Sequence, residues 1–341
     1  MRKRAPTIQD VAREAGVSPS TVSNVLNRRW KQTSRETRER ILAVARELNY
    51  QPNTLAASLR RRSTRTVGVV LTSVLNPFNT AVLRGIQDAA RAAGYTIIVG
   101  NTDYDAELES EVLGALRARQ VDGMLVVTNG GTNEVLRGIH EAGVPVVLVD
   151  RGDPTLPLDT VRVDNEGAAG KAVEYLLELG HTRVAIVSGL TTGVSTRAGR
   201  LVGYRNALLA RGVEPREEYQ VVVATSIENG QAAVNGLLDL ADSPTALFVT
   251  NTFLAIGALR TIRERGLRMP GDVSFLMFDD PDWATATSPA LTTVSQPTRE
   301  IGEQAFALLE HRMKHKRGRE AQTVILPTSL KIRESCGAPP R

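Results

Sequence analysis

Two hydrophobic patterns divide this chain. Over the first fifty residues, apolar positions recur at helical spacing in three short runs: Ile8, Val11, Ala12 and Ala15; Val22, Val25 and Leu26; and Ile41, Val44, Ala45 and Leu48. Each run is the buried stripe of a short helix. The residues around the stripes set the helix ends. Thr7 caps the first helix, with Asp10 three residues on as an imperfect capping-box partner. Gly16 supplies the positive φ that stops that helix, and Val17 fills the corner. Ser18 caps the second, and Pro19 suits its first position, where a missing N–H costs nothing. Asn27 and the pair Arg28–Arg29 end it, and Ser34 caps a third helix from Arg35 to Leu48. Two short helices joined by a glycine-containing turn form a helix-turn-helix unit.

From Thr66 the pattern changes. Continuous apolar runs TVGVVLT (66–72), YTIIVGN (95–101), VDGMLVV (121–127) and VPVVLVD (144–150) are separated by amphipathic stretches near 79–93, 106–119 and 133–142. A second series follows: RVAIVSG (183–189), YQVVVAT (219–225), TALFVTN (245–251) and DVSFLMFD (272–279). Apolar strands alternating with helices predict parallel sheets covered on both faces. Two such series predict two Rossmann-like lobes, with a ligand cleft at the carboxyl ends of the strands. No short-period repeat or low-complexity tract interrupts them.

Charge sharpens this division. The 341 residues carry a formal net charge of +5, yet residues 1–65 hold 15 Lys+Arg against 5 Asp+Glu, a net +10, and the remainder is net −5. A basic excess confined to the first fifth of the chain fits a segment that faces phosphate. The composition, 42% hydrophobic and 23% charged, is that of a globular protein with ample core. No apolar h-region follows the basic start MRKRAPTIQD, and no run reaches the length of a membrane helix, so a cytoplasmic protein is expected. The single cysteine, Cys336, precludes an intramolecular disulfide and reads as a bystander thiol in a frayed tail.

On the second helix the positions outside the apolar stripe are Ser20, Thr21, Ser23, Asn24 and Asn27, short hydrogen-bonding side chains that can approach base edges and phosphates closely. The run TIQDVAREAGVSPSTVSNVLN, followed by SRETRERILAVARELNYQPN and LAASLRRRSTRTVGVV, resembles the head and hinge of the lactose-repressor/galactose-repressor (LacI/GalR) family. The resemblance implies that Pro19, Ser20 and Asn24 take the base-reading positions and that Thr21 and Ser23 lie nearer the DNA backbone. Pro19 has no polar group to offer, which leaves the base contacts to Ser20 and Asn24. Thr7, Ser18 and Asn27 complete the expected DNA-facing set. The resemblance further implies a hinge helix within 53–65, ordered only on DNA, with Asn53 as cap, Ala56 and Ala57 at the contact and Leu59 as a wedge in the minor groove. A nine-residue helix is marginal in water, so a second copy and DNA would have to complete it.

The rest of the chain resembles the same family, whose sensor shares its fold with periplasmic sugar-binding proteins. The matching pieces are NPF (76–78), VDR (149–151), VDNEGA (163–168), GRLVGY (199–204), FDD (278–280) and LTTVSQP (291–297). The implied fold is an all-α helix-turn-helix head (1–52), a hinge (53–65) and an α/β two-lobed periplasmic-binding-protein-like domain (66–335). Its lobes are 66–163 with 296–326, and 164–293, joined by three crossovers. The implied effector residues are Phe78, Asn79, Asp150, Arg151, Thr196, Arg200, Asn251, Asp279 and Gln296. Carboxylates, amides and guanidinium groups suit polyhydroxylated ligands because each makes two directed hydrogen bonds. Phe78 and Trp283 can supply an apolar face for a sugar ring, while Asp164 and Asn165 read as helix cap or ligand contact. Two departures from the family pattern, Thr252 after Asn251 and Asn79 in place of an aromatic, bear on which carbohydrate binds. Arg151 and Arg200 leave room for a sugar acid or phosphate.

The function implied is a repressor that binds a pseudo-palindromic operator in duplex DNA as a homodimer, under the control of a small carbohydrate. An activator or co-repressed regulator is the alternative, and a non-regulatory sugar-binding protein a further one. No heptad extension follows Leu330, which favours a dimer over a tetramer. Neither a cofactor nor a metal is expected: GxSxG, GxxxxGK[ST] and HExxH are absent, and His140, His181, His311 and His315 lack ligand spacing. An enzyme is therefore disfavoured. The basic head argues against a transport protein, and about 270 further residues argue against a purely architectural one.

Overall fold

The computed structural model describes residues 6–27, 30, 33–50, 63–153, 155–190, 194–315 and 320–340. The chain divides into two units, Met1–Thr64 and Arg65–Arg341.

In the first unit lie α1 (Ile8–Glu14), α2 (Pro19–Leu26) and α3 (Arg35–Glu47). Their ends follow from the polar residues beside them. Thr7 and Asp10 form a full reciprocal capping box: the Asp10 carboxylate accepts from the Thr7 backbone N–H at 2.9 Å, and Thr7 Oγ1 accepts from the Asp10 N–H at 3.4 Å. Ser18 and Ser34 cap the next two helices through the N–H groups of Thr21 and Thr37, both at 3.2 Å. Gly16 takes φ +63°, a conformation cheap only for glycine. Val11, Ala12, Ala15, Val22, Val25, Ile41, Val44 and Ala45 close over one small core. The expected hinge residues Asn53, Ala56, Ala57 and Leu59 lie outside the described residues.

The second unit begins with β1 (Thr66–Leu71), α4 (Pro77–Ala92), β2 (Thr96–Asn101), α5 (Ala106–Ala118), β3 (Gly123–Val126), α6 (Asn133–Glu141), β4 (Val146–Val149) and β5 (Asp159–Val163). The chain then crosses to a second lobe containing α7 (Asn165–Glu178), β6 (Val184–Gly189), α8 (Ser195–Ala210), β7 (Gln220–Val223), α9 (Ile227–Leu238), β8 (Ala246–Val249), α10 (Thr252–Glu264), β9 (Ser274–Phe278) and β10 (Thr292–Ser295). It returns to the first lobe through α11 (Thr298–Lys314) and β11 (Thr323–Leu326), and crosses a third time to β12 (Ser329–Lys331). The two sheets have matching strand orders, β11-β5-β4-β3-β1-β2 and β12-β10-β9-β8-β6-β7. All pairings are parallel except that of β12 with β10. Strands β5, β10, β11 and β12 were not among the predicted runs.

Helix pairs cover the sheets at close range. A Cβ at Gly85 of α4 would run into the Arg299 carbonyl of α11, and one at Gly257 of α10 into the Ile227 carbonyl of α9. Glycine at these positions lets backbones touch.

The C-terminal tail is not frayed, which corrects the expectation for Cys336. The Phe275 N–H donates to the Ser335 carbonyl at 2.8 Å, and Ser335 Oγ donates to the Phe275 carbonyl at 2.6 Å. Buried His181 holds the Gly337 carbonyl at 2.9 Å and the hydroxyls of Thr245 and Ser274 at 2.8 and 3.0 Å. Cys336 packs beside the second lobe's core, and burial pushes its thiol up to about 11, which keeps it protonated and inert.

Candidate functional site

In the head, α2 presents a neutral polar face. Ser18, Pro19, Ser20 and Asn27 are exposed; Thr21, Ser23 and Asn24 are half-buried. Several of these groups also serve the fold. Ser18 Oγ lies 2.7 Å from Ser20 Oγ and 2.9 Å from Thr21 Oγ1. Asn27 Nδ2 donates to the Ser23 carbonyl at 2.7 Å and so closes the helix end. Thr7 is engaged in its capping box, where its hydroxyl donates to Asp10 at 2.7 Å. Asn24 is therefore the polar side chain on this face with the least structural work, and Ser20, though exposed, shares its hydroxyl with Ser18. Sequence reasoning passed over Trp30, which is 46% exposed and carries the Arg38 guanidinium 4.7 Å from its ring centroid.

In the second unit, all nine expected cleft residues border one cavity between the lobes. Thr72, Asn76, Gly189, Arg197 and Thr250 border it as well. Only about 30 Å³ is free at its centre, space for a water or two. An adjoining cavity of about 440 Å³, of small-molecule size, shares Phe78, Asp279 and Gln296 with it.

Matching elements of the two lobes supply the carboxylates. Asp150 follows β4 and Asp279 follows β9, the fourth strand of each sheet, and both take left-handed backbone, φ +65° and +76°. Such strain in non-glycine residues is a cost that surrounding structure must hold. Burial raises the pKa of Asp150 against the opposing pull of Arg151, Arg200 and Arg197. Burial likewise raises Asp279, opposed by Arg200 and by the amide of Gln296, which donates to it at 2.6 Å.

Arg200 is the most heavily fixed group. Its Nε donates to Asn165 Oδ1 at 2.8 Å, its Nη1 to the Thr250 carbonyl at 2.7 Å, and its guanidinium lies 3.6 Å from the Phe278 ring centroid. The choice between cap and contact at 164–165 thus divides: Asp164 caps α7 through the Gly167 N–H at 3.0 Å, and Asn165 positions Arg200. Arg151 donates Nη1 to the Thr128 carbonyl at 2.7 Å. Behind that wall the carboxylate of Glu109 accepts from Thr128 Oγ1 at 2.7 Å, Thr132 Oγ1 at 2.5 Å and the Asn129 N–H at 2.6 Å.

Asn79 uses its amide nitrogen on Thr72 Oγ1 and the Ser73 carbonyl, both at 2.9 Å, and so ties down the first loop. Asn251 caps α10 through the Phe253 N–H at 2.9 Å. Trp283 packs on the second lobe's core and borders neither of the two cavities. Thr252 is likewise off their walls. Arg197 was missed, although its place three residues before Arg200 puts it on the same helix face. Among the described residues, seven buried side-chain polar atoms lack a hydrogen-bond partner, and three of them, Asp150 Oδ1, Arg151 Nε and Gln296 Oε1, belong to residues lining this one cavity. Residues on this wall thus leave two acceptors and a donor without hydrogen-bond partners.

A helix-turn-helix head combined with a two-lobed binding domain defines a ligand-responsive DNA-binding transcriptional regulator. Residues 7–53 match the model for bacterial regulatory proteins of the lacI family, and residues 173–336 match that for a periplasmic binding protein-like domain. The chain is 35% identical to catabolite control protein A of Priestia megaterium, over 96% of this chain and 98% of that protein. It is also 35% identical to the HTH-type transcriptional repressor PurR of Erwinia tasmaniensis, over 98% of each. Among solved structures it resembles the Lac repressor dimer bound to operator and the anti-inducer ONPF (28% identity, TM-score 0.85, 98% of this chain and 100% of that one). It also resembles a transcriptional regulator CelR–cellobiose complex (32% identity, TM-score 0.74, 97% and 99%). The chain belongs to the lacI family of transcriptional regulators. Its relatives are regulators rather than enzymes. No helix among the described residues is long and apolar enough to cross a membrane.

Proposed function

We propose that this protein is a homodimeric, cytoplasmic repressor that reads a pseudo-palindromic operator with Ser20 and Asn24 of α2 and is controlled by a carbohydrate bound between its lobes. The observation that carries the effector site is that three residues lining one cavity leave Asp150 Oδ1, Gln296 Oε1 and Arg151 Nε buried without hydrogen-bond partners. Leaving such atoms unpaired costs about 1–3 kcal/mol each, so a ligand whose hydroxyls pair them is strongly favoured over one that does not. Cellobiose in the CelR complex, and ribose in a LacI-family regulator of Enterococcus faecium, support the ligand class. The operator-bound Lac repressor dimer supports the DNA partner and the stoichiometry.

Bridging both lobes, the ligand would favour one relative arrangement of them. A second copy and the hinge segment with Asn53, Ala56, Ala57 and Leu59 would convert that preference into a change of operator affinity, with a coupling of about 1–3 kcal/mol. A thermal-shift screen of sugars against the full chain tests the reading. A true ligand at a hundred times its Kd raises stability by about 2.7 kcal/mol, and Gln296→Ala should abolish that gain. A stabilising sugar unaffected by Gln296→Ala would place its site elsewhere.

A further inference from the structure

The cleft holds more positive than negative charge. Three guanidinium groups, Arg151, Arg197 and Arg200, line it against two carboxylates, Asp150 and Asp279. Buried charge is tolerated only when paired, so the surplus cation calls for an anion. Glu109 does not serve, because its carboxylate is already taken by two threonine hydroxyls and a backbone N–H. Arg200 stands opposite both carboxylates, which pull its pKa up against burial.

Of these carboxylates the other two arginines feel only Asp150, and neither is hydrogen-bonded to a carboxylate. Arg151 Nε is 3.7 Å from Asp150 Oδ2, beyond hydrogen-bond reach, and is satisfied by nothing else. Arg197 is held by neutral groups only: Nη1 donates to the Leu190 carbonyl at 2.9 Å and Nη2 to Thr225 Oγ1 at 3.1 Å. Its guanidinium lies 5.8 Å from the ring centroid of Tyr104, on the opposite lobe. Gly189 makes room for this arrangement, since a Cβ there would stand 2.8 Å from Arg197 Cζ and Nε. Burial and then the charge of Arg151 push Arg197 down to about 10 against the weaker pull of Tyr104 and Asp150, and it remains a cation at neutral pH.

We propose that the effector is an anionic carbohydrate, a sugar acid or sugar phosphate, whose charged group is clamped between Arg151 of the first lobe and Arg197 of the second. This rests on the reading of the cleft as the effector site and narrows it. Planar guanidinium groups pair with carboxylate or phosphate oxygens through directed, charge-assisted bonds, and a clamp drawn from both lobes ties anion binding to their closure. The acceptors Asp150 Oδ1 and Gln296 Oε1 are then left for the ligand's hydroxyls.

Calorimetric titration of the full chain tests this with D-glucose and cellobiose as neutral probes, D-gluconate and D-glucuronate as acids, and D-glucose 6-phosphate as the phosphate. The expected result is that an acid or phosphate probe binds about 10- to 100-fold more tightly than the neutral ones, as a charge-assisted hydrogen bond warrants. Arg197→Gln should reduce that preference to near unity. Should Arg197→Gln fail to fold, competition by inorganic phosphate on the unmodified chain separates the cases, because it displaces an anionic probe and spares a neutral one. Neutral probes binding as tightly as anionic ones, with no effect of phosphate, would overturn the clamp and leave the carbohydrate reading standing. Anionic probes that bind with the preference intact in Arg197→Gln would also overturn it. Failure of every probe, neutral and anionic, to bind would overturn the clamp together with the reading beneath it.

Discussion

The head and the cleft solve opposite problems. The head's outward side chains on α2 are small, neutral and at least partly exposed, and its eight buried core residues are all aliphatic. The cleft gathers five charged side chains from both lobes, with Asp150, Arg151, Arg200 and Asp279 buried. A neutral hydroxyl or amide in water costs little to display and gains only when it meets a partner. A buried charge costs several kcal/mol unless its surroundings are already arranged. Loss of function should therefore come without loss of fold on α2, and together with it in the cleft.

The largest test of that contrast is Arg200→Ala. Removing this guanidinium strips Asp279 of its cation, weakens the field on Asp150 and releases Asn165, so the sensor's unfolding transition should fall by about 3–5 kcal/mol, measured by urea denaturation. A variant as stable as the parent would show that the cleft is better hydrated than its burial implies. Ile41→Ala comes next. It opens a cavity in a core of few residues, costs about 2–5 kcal/mol, and should abolish DNA binding while calorimetric ligand binding persists. Asn24→Ala should leave both unfolding transitions in place and remove about 1–3 kcal/mol of discrimination between operator and random duplex, read by fluorescence anisotropy. An equal loss on both duplexes would move Asn24 from base reading to backbone contact.

The smallest effect concerns pH. Burial lowers the pKa of His181 in the folded chain below its ordinary 6.5. The folded state then holds fewer protons than the unfolded one below that value, so stability is fully present above pH 6.5 and is lost as pH falls into the window beneath it. Asp150 and Asp279, raised by burial, contribute with the opposite sign. His181→Asn isolates the histidine: its urea midpoint should fall less between pH 7 and pH 5 than that of the parent. An identical slope would mean that His181 does not titrate differently on folding.

Much of this was legible in the sequence where local chemistry decides structure. Thr7, Gly16, Ser18 and Ser34 act on their own neighbours, and the structure places all four at the expected ends. Long apolar strands were equally plain. Strand β5, with Asp159 and Arg162 in its run of five, was not, because its place is secured from afar: Arg312 donates Nε and Nη2 to the Asp159 carboxylate, each at 2.7 Å. The tail around Cys336 was hidden for the same reason, its hydrogen bonds reaching some sixty residues back to Phe275.

In the cleft, family resemblance pointed to residues at strand ends, yet the roles came from three-dimensional pairing. Asn79 and Asn251 spend part of their amides on their own loops, and Arg197 enters the wall only because Gly189 yields to it. Asp150 and Asp279 border one space because β4 and β9 hold matching places in the two lobes, and no single segment of the sequence contains that relation.

The central claim is that the cleft governs the head. Anisotropy of a labelled operator, selected from random duplexes by the full chain, tests it directly when titrated with and without a saturating ligand bound at the cleft. The account predicts an operator Kd that changes by about 5- to 150-fold, with the change abolished by Gln296→Ala. An operator Kd that stays the same while calorimetry shows the cleft filled would contradict it.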